Sequence, residues 1–194
     1  MAPLQADPAD GELASRAASG DREAFTALAE RWWDRMGAYA AAATSGDAEL
    51  AAEATQDALC RLYSSLPRFR GEAAFGTFVY RICRNSAIDA LRRRSRERSR
   101  RADLPEASGD CLLPGRYAGP EEELSASEES AALRRALSRL GEEARSLIFL
   151  KEMEGFEIAE LSRIFGIPAG TVKSRLSRAR DALRKFLEED GYAV

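Results

Sequence analysis

A short stretch of basic and hydroxyl side chains near the C-terminus has the chemistry needed to bind nucleic acid. Lys173, Ser174, Ser177 and Arg178 follow a Gly- and Pro-containing turn at 166–170, and at helical spacing they share the outward side and flank of one helix. Arginine can donate to guanine edges, hydroxyls can hold phosphate oxygens, and the positive helix terminus adds to this attraction. The stretch therefore predicts a DNA-contacting helix, and an ordinary solvated charged face is the alternative.

The flanking residues predict a helix-turn-helix that would position this stretch. A short helix is expected over about 157–165 and a second over about 169–188, separated by the turn. The apolar side chains of the second helix fall opposite its basic and hydroxyl side chains. They are Val172, Leu176, Ala179, Leu183 and Phe186. The second helix of this motif normally lies in the major groove, so the motif indicates DNA binding without indicating the task.

A second candidate surface follows the loop 67–75, on a helix expected over about 76–94. Arg81, Asn85 and Arg92 stand at i, i+4 and i+11 and form a polar stripe beside the aromatic Phe78. Basic, amide and aromatic groups along one edge can contact both phosphates and unstacked bases. The arginine run at 92–101 would add salt-dependent affinity for phosphate. Nucleic-acid binding is the favoured interpretation, with a solvated face again the alternative.

The remaining segments predict an all-α protein of two small domains. Every long segment carries a helical period and none shows sustained strand alternation. Apolar residues at helical spacing begin with Phe25 and Leu28, and another helix is expected over about 47–66, where Pro67 ends it. We expect a disordered segment over 1–17, helical domains over 18–98 and 128–190, and a flexible acidic linker over 99–127. Helices over about 127–140 and 142–153 complete the second domain.

Opposite charges are segregated along the chain, so the net charge of −3 is misleading. Residues 92–101 hold seven arginines against Glu97, and residues 171–186 hold six Lys or Arg against Asp181. Between them, residues 102–132 hold eight acids against Arg116. Two basic patches separated by an acidic spacer indicate a polyanionic partner that is contacted at two places.

The composition argues against several classes of protein. Histidine is absent, and Cys60, Cys83 and Cys111 are isolated, so we expect no metal site, no disulfide framework and no cofactor. The commonest general base is missing, and we expect no catalytic residues and no enzymatic activity. No apolar run approaches the roughly 20 residues needed to span a bilayer, and the N-terminus lacks an export signal. We expect a cytoplasmic protein without membrane insertion.

Three motifs in register resemble those of the extracytoplasmic-function (ECF) sigma factors of bacterial RNA polymerase. They are LPRFRGE at 66–72, FVYRICRNSAIDALRR at 78–93, and GTVKSRL at 170–176 followed by RAR at 178–180. The resemblance covers about residues 18–188. It implies a sigma domain 2 and a sigma domain 4 joined by a linker, and binding to core RNA polymerase and promoter DNA.

The resemblance also implies roles for individual residues. The C-terminal helix should read the −35 promoter element, and the loop after Pro67 with the following helix should engage the −10 element, where an unstacked base is held in a pocket. The −35 residues would be Thr171, Lys173, Ser174, Arg175, Ser177 and Arg178. The −10 residues would be Arg68, Phe69, Arg70, Gly71, Phe78, Arg81, Asn85, Arg92 and Arg93.

The resemblance further implies two protein partners. The segment 47–66 resembles the one that docks on the polymerase, with Gln56, Asp57 and Arg61 as contacts, although Ala52 stands where an acid is usual. Sigma factors of this family are commonly held inactive by an anti-sigma factor. The alternative is an autonomous helix-turn-helix transcriptional regulator, which would need a ligand or phosphate-receiver domain in the N-terminal half.

Overall fold

The computed structural model describes residues 8–69, 71, 73–102 and 128–192, and within these ranges it contains helices and no strands. The prediction of an all-α fold is confirmed. The N-terminal half comprises α1 (Pro8–Ala18), α2 (Arg22–Ala43), α3 (Ala48–Ser65), a 3₁₀ turn (Leu66–Arg68) and α4 (Phe75–Ala102). The C-terminal half comprises α5 (Glu128–Ser138), α6 (Glu142–Ile148), a π turn (Phe149–Met153), α7 (Ile158–Phe165) and α8 (Ala169–Glu189). None of the described helices is long and apolar enough to cross a membrane.

Helix α2 lies at the centre of the N-terminal half. Its apolar side chains Leu28, Trp32, Met36 and Tyr39 are at most 1% exposed and pack against α1, α3 and α4. Asp21 caps the first turn of the helix, because its carboxylate accepts a hydrogen bond of 3.0 Å from the Ala24 amide. The aromatic spacing in the sequence therefore marked core positions, as its 3.6-residue period indicates.

The structure corrects the expectation of disorder at the N-terminus. Residues 8–17 belong to α1, while residues 1–7 lie outside the described part of the chain. The buried carboxylate of Asp10 accepts hydrogen bonds from Arg31 Nη1 at 2.7 Å and from Trp32 Nε1 at 3.1 Å, and Ala14 packs in the core. The expectation was wrong because the partners of Asp10 lie more than 20 residues away in the sequence. Local composition does not indicate such tertiary contacts.

The linker predicted over 99–127 falls partly outside the described residues. Its first residues continue α4 to Ala102, and residues 103–127 are not described. The two halves nevertheless pack directly on each other, since α4 contacts α7 and α2 contacts α6. One hydrophobic cluster runs from Trp32 and Tyr80 to Leu147, Phe156 and Leu161. The halves therefore share a core.

Candidate nucleic-acid interface

The helix-turn-helix is formed by α7, the turn at 166–168 and α8. Gly166 ends α7 in the left-handed region with a φ of 66°, a conformation that favours glycine. The Ile167 amide then donates to the Ser162 carbonyl at 3.2 Å, and the Ser162 hydroxyl donates to the Ile167 carbonyl at 2.5 Å. Pro168 stands at the start of α8, and its carbonyl accepts from Val172 at 3.0 Å. These bonds fix the direction in which α8 leaves the turn.

Helix α8 divides into a buried face and an exposed face as the sequence indicates. Val172, Leu176 and Ala179 are buried against the C-terminal half. The outward side chains are exposed: Lys173, Ser174, Ser177 and Arg178. Thr171 and Arg175 are partly buried at the edges of the helix. The first turns of α8 therefore present hydroxyl, ammonium and guanidinium groups to solvent, which are the groups that contact phosphates and base edges.

One edge of α8 carries a basic groove that the sequence analysis only partly predicted. Lys173 and Ser177 line it together with Arg180, Arg184 and Lys151, and with one carboxylate, Asp181, around a volume of about 290 Å³. Arg180 donates to Glu152 through Nε at 3.0 Å, so part of its charge is already paired. The spacing i, i+4, i+7 and i+11 along α8 could have revealed the two arginines. Lys151 comes from the π turn, and no local spacing predicts that it lies here.

On the other edge of α8, Arg175 and Arg178 differ in how far they are already engaged within the protein. Arg175 pairs with Glu143 of α6, so its guanidinium is engaged within the protein. Arg178 is exposed and donates to the Ser174 hydroxyl at 3.4 Å, while that hydroxyl donates to the Thr171 carbonyl at 3.0 Å. A weak contact of this length leaves the guanidinium able to turn toward another acceptor. Of the two arginines, Arg178 is the one available to a base edge.

The N-terminal half carries a pocket of about 350 Å³ beside the start of α4. Its walls are Arg68, Phe69, Ala73, Thr77, Phe78, Arg81 and Arg163. Phe69 and Phe78 lie with their ring centroids 5.0 Å apart, and the Arg81 guanidinium lies 5.9 Å from the Phe78 ring. The volume is at the lower end of the range for small-molecule pockets, and aromatic walls with cationic rims suit a base and its phosphate.

Thr77 and Arg163 are pocket residues that the sequence analysis missed. Thr77 is 4% exposed, and its hydroxyl has no hydrogen-bond partner among the described residues. It stands four residues before Arg81, so helical spacing could have found it. Arg163 belongs to α7 of the C-terminal half, and only the tertiary packing brings it to this pocket.

The other residues predicted to read DNA on this half lie away from the pocket or are paired. Asn85 and Arg92 are exposed, and Arg92 lies about 16 Å along α4 from Arg81 at 1.5 Å per residue. Arg93 pairs with Glu53 of α3 at 2.7 Å. Gly71 is exposed, whereas Arg70 lies outside the described residues. The structure thus brings four predicted residues into one pocket and leaves the others along the helix or outside it.

The three residues predicted to bind polymerase differ in their availability. Gln56 is exposed on α3. Arg61 bridges Asp57 and Asp89, with nitrogen to oxygen distances of 2.9 Å to each. The hydrogen bond to Asp89 and the nearby carboxylates raise the pKa of Arg61 above its ordinary value. Arg61 therefore ties α3 to α4 within the protein.

Comparison with solved structures supports the fold. The structure of CnrH in complex with the cytosolic domain of CnrY aligns with a TM-score of 0.64 at 24% identity, covering 94% of this chain and 99% of CnrH. The sigma factor RpoE from Bartonella quintana, solved with the anti-sigma factor NepR, aligns with a TM-score of 0.64 at 24% identity, covering 84% of this chain and 96% of RpoE. At this identity the likeness concerns the fold alone.

Sequence comparison supports the family. Residues 30–97 match the family described as Sigma-70 region 2, and residues 130–183 match Sigma-70, region 4. The chain is 31% identical to the RNA polymerase sigma-H factor of Pseudomonas aeruginosa over 185 residues, which cover 92% of this chain and 94% of that protein. It is 34% identical to the ECF sigma factor SigM of Mycobacterium tuberculosis, over 92% of this chain and 84% of that protein. It is 33% identical to the ECF sigma-E factor of Escherichia coli K12, over 90% of this chain and 92% of that protein. The chain belongs to the ECF family of RNA polymerase sigma factors, which direct promoter-specific initiation of transcription.

Proposed function

We propose that the two exposed basic surfaces of this chain divide the reading of a promoter between them. Helix α8 reads the −35 element, with Arg178 directed to base edges and with Lys173 and Ser177 of the basic groove directed to phosphates. The pocket at the start of α4 holds an unstacked base of the −10 element against the Phe69 and Phe78 rings. The two sites lie on the two halves of the chain, and each half also carries one of the two basic clusters of the sequence, at 92–101 and at 171–186.

The observation that carries this proposal is the chemistry of the pocket. A base that leaves the stack loses a few kcal/mol of stacking and pairing free energy, and contacts in the pocket must compensate for this loss. Two aromatic rings 5.0 Å apart offer a stacking surface, and Arg68 and Arg81 at the rim offer donors for phosphate. The buried Thr77 hydroxyl has no hydrogen-bond partner among the described residues, and it supplies a hydrogen bond to the bound base.

Core RNA polymerase is the partner that family membership requires, and we place its contact on the exposed side of α3. Gln56 is exposed there, whereas Asp57 and Arg61 are bonded to each other. We therefore assign direct contact first to Gln56 and a positioning role to the pair. The chain acts through polymerase in the cytoplasm and needs no catalytic residues of its own.

An anti-sigma factor is the second partner that we propose. RpoE of Bartonella quintana, which shares the fold at 24% identity, was solved with the anti-sigma factor NepR bound. Both basic surfaces of this chain are exposed, so a partner protein can cover them. A partner bound over either surface would block its contact with promoter DNA.

The proposal is tested with the full-length protein and core polymerase. We expect the two to co-elute in gel filtration, and we expect promoter-specific run-off transcripts only when both are present. Tight promoter binding by the protein alone, together with transcription by core that does not depend on it, would instead identify an autonomous helix-turn-helix regulator.

A further inference from the structure

Asp10 of α1 is a buried carboxylate whose two oxygens are both engaged by α2. Oδ1 accepts a hydrogen bond from Arg31 Nη1 at 2.7 Å, and Oδ2 accepts one from Trp32 Nε1 at 3.1 Å. The Asp10 side chain is 7% exposed, and burying a carboxylate is unfavourable unless such bonds compensate. The apolar contacts of Ala14 and Ala17 already attach α1 to the core, so the bonds of Asp10 add a fixed orientation of the side chains that they hold.

Trp32 is the partner of Asp10 that reaches the start of α4. Its side chain is 1% exposed, and a buried indole N–H needs an acceptor, which is here Asp10. The Trp32 ring lies edge-on to the Phe75 ring, with the two centroids 5.6 Å apart. It also lies close to the backbone of the next residue, since a Cβ at Gly76 would be 3.1 Å from the indole. Phe75 and Gly76 are the first two residues of α4, so the position of Trp32 limits where that helix can begin.

Phe75 in turn lies behind the aromatic wall of the −10 pocket. It is 5% exposed, and its ring centroid lies 5.4 Å from that of Phe69 and 6.3 Å from that of Phe78. Protein interiors are close-packed, so a shift of one buried ring displaces the rings that it touches. A continuous series of contacts therefore leads from α1 through Trp32 and Phe75 to the pocket.

Helix α1 supports the same pocket from a second side. It contacts the 3₁₀ turn Leu66–Arg68, whose Leu66 is fully buried. This turn leads directly into Phe69, and Arg68 is itself a wall residue. Because α1 also contacts α4, it meets both of the N-terminal segments that form the pocket.

We propose that Asp10 is a positioning residue for the capture of the unstacked −10 base. Its bond to Trp32 orients the indole against Phe75, and this contact sets how the rings of Phe69 and Phe78 lie in the pocket wall. An error of about 1 Å in the position of such a wall can cost as much as about a hundredfold in rate. The inference rests on the proposed −10 pocket and does not depend on the −35 surface.

The bond is tested by NMR on the full chain, labelled with ¹⁵N at its two tryptophans. Trp33, which is 39% exposed, is replaced by Trp33→Phe so that the remaining indole signal is assigned to Trp32. A hydrogen-bonded proton resonates downfield, so we expect Asp10→Ala to move the Trp32 indole proton upfield. Asp10→Asn keeps an oxygen that can accept from the indole, and we expect its signal near that of the parent. An unchanged signal in Asp10→Ala would overturn the bond.

The positioning role is tested by run-off transcription with core polymerase, on the intact promoter and on promoters altered at −10 or at −35. The readout is the ratio of activity on the intact promoter to activity on each altered promoter. Misfolded molecules lower both activities equally, so these ratios report on the folded protein alone. We expect Asp10→Ala to lower the −10 ratio about tenfold and to leave the −35 ratio unchanged. Asp10→Asn should keep both ratios near those of the parent.

Two further variants separate positioning from folding. Phe75→Leu removes the intermediate ring and leaves Asp10 in place, and we expect the same selective loss of the −10 ratio even where Asp10→Ala does not fold. Asp47→Ala is the matched control, because Asp47 also holds a buried-side partner, accepting from the Leu50 amide at 3.1 Å at the start of α3. It should destabilise the N-terminal half without changing either ratio.

A −10 ratio that Asp10→Ala or Phe75→Leu leaves unchanged would overturn the positioning role, as would an Asp10→Asn variant as deficient as Asp10→Ala. Loss of both ratios in Asp10→Ala, or the same loss in Asp47→Ala, would overturn it in favour of a role in folding alone. Failure of the promoter-reading proposal would appear separately, as a parent protein that does not distinguish the intact promoter from the one altered at −10.

Discussion

At the scale of single residues, the two edges of α8 separate base reading from phosphate binding. Arg178→Ala should lower −35-dependent initiation by about 1–3 kcal/mol and change the preferred bases, because a guanidinium can read a base edge. Arg184→Ala, in the basic groove, should weaken promoter binding equally for all −35 sequences. It should also reduce the slope of log K against log salt concentration by about 1. Holoenzyme binding to a set of −35 variants over a salt series measures both. The same uniform loss for both variants would refute this division.

The orphaned hydroxyl of Thr77 allows binding to be separated from folding. Thr77→Val keeps the shape of the side chain and removes a buried polar group that has no partner among the described residues. Its thermal stability should therefore be equal to or above that of the parent, since an unsatisfied buried group costs about 1–3 kcal/mol. Open-complex formation should be slower, with Thr77→Ser close to the parent. Lower stability with unchanged open-complex kinetics would assign the hydroxyl to the fold.

Single residues also show which contacts the sequence did not predict. Spacing along one helix identified the exposed side of α8 and the stripe through Arg81, because a helix fixes which side chains share a face. It did not indicate that Arg175 would pair with Glu143, or that Arg163 would reach the pocket. Those contacts join elements that are distant in the chain, and no local pattern encodes them.

At the scale of elements, the turn of the helix-turn-helix depends on one glycine. Gly166 has a φ of 66°, and space around it is open, so only backbone strain opposes a side chain there. Gly166→Ala should destabilise the protein by about 1–2 kcal/mol in chemical denaturation. Gly170→Ala is the control, because Gly170 lies within α8 with open space, and alanine should stabilise a helical position by up to about 1 kcal/mol. Equal effects at the two positions would contradict the role of the turn.

Helix boundaries were predictable where a Gly or Pro residue coincided with the end of a helical pattern of apolar residues. Pro67 and Gly166 marked real helix ends, and the second helix of the helix-turn-helix was predicted over about 169–188 and is observed as Ala169–Glu189. Helix α1 was missed because its stability comes from Asp10 and Ala14 packing on α2. A pattern shows which face of a helix is apolar, but it does not show which partner covers that face. For this reason the contact of α7 with α4 could not be foreseen.

At the scale of the whole molecule, the two halves share one interior. Phe156 and Leu161 belong to the core cluster that also contains Trp32 and Tyr80, so apolar side chains of both halves are buried together. The sequence showed two basic patches and an acidic segment between them, which is sufficient to suggest two contacts with a polyanion. It could not show that the two halves pack directly on each other.

The most direct test of the central claim is run-off transcription with core polymerase, on a promoter identified from transcripts that appear after overexpression. The parent, Arg178→Ala and Thr77→Val are each compared on the intact promoter and on promoters altered at −35 or at −10. We expect the parent to lose activity with either alteration, Arg178→Ala to be insensitive to the −35 change, and Thr77→Val, which alters the pocket, to be insensitive to the −10 change. Transcription that does not require the protein, or variants that respond to both changes as the parent does, would contradict the account.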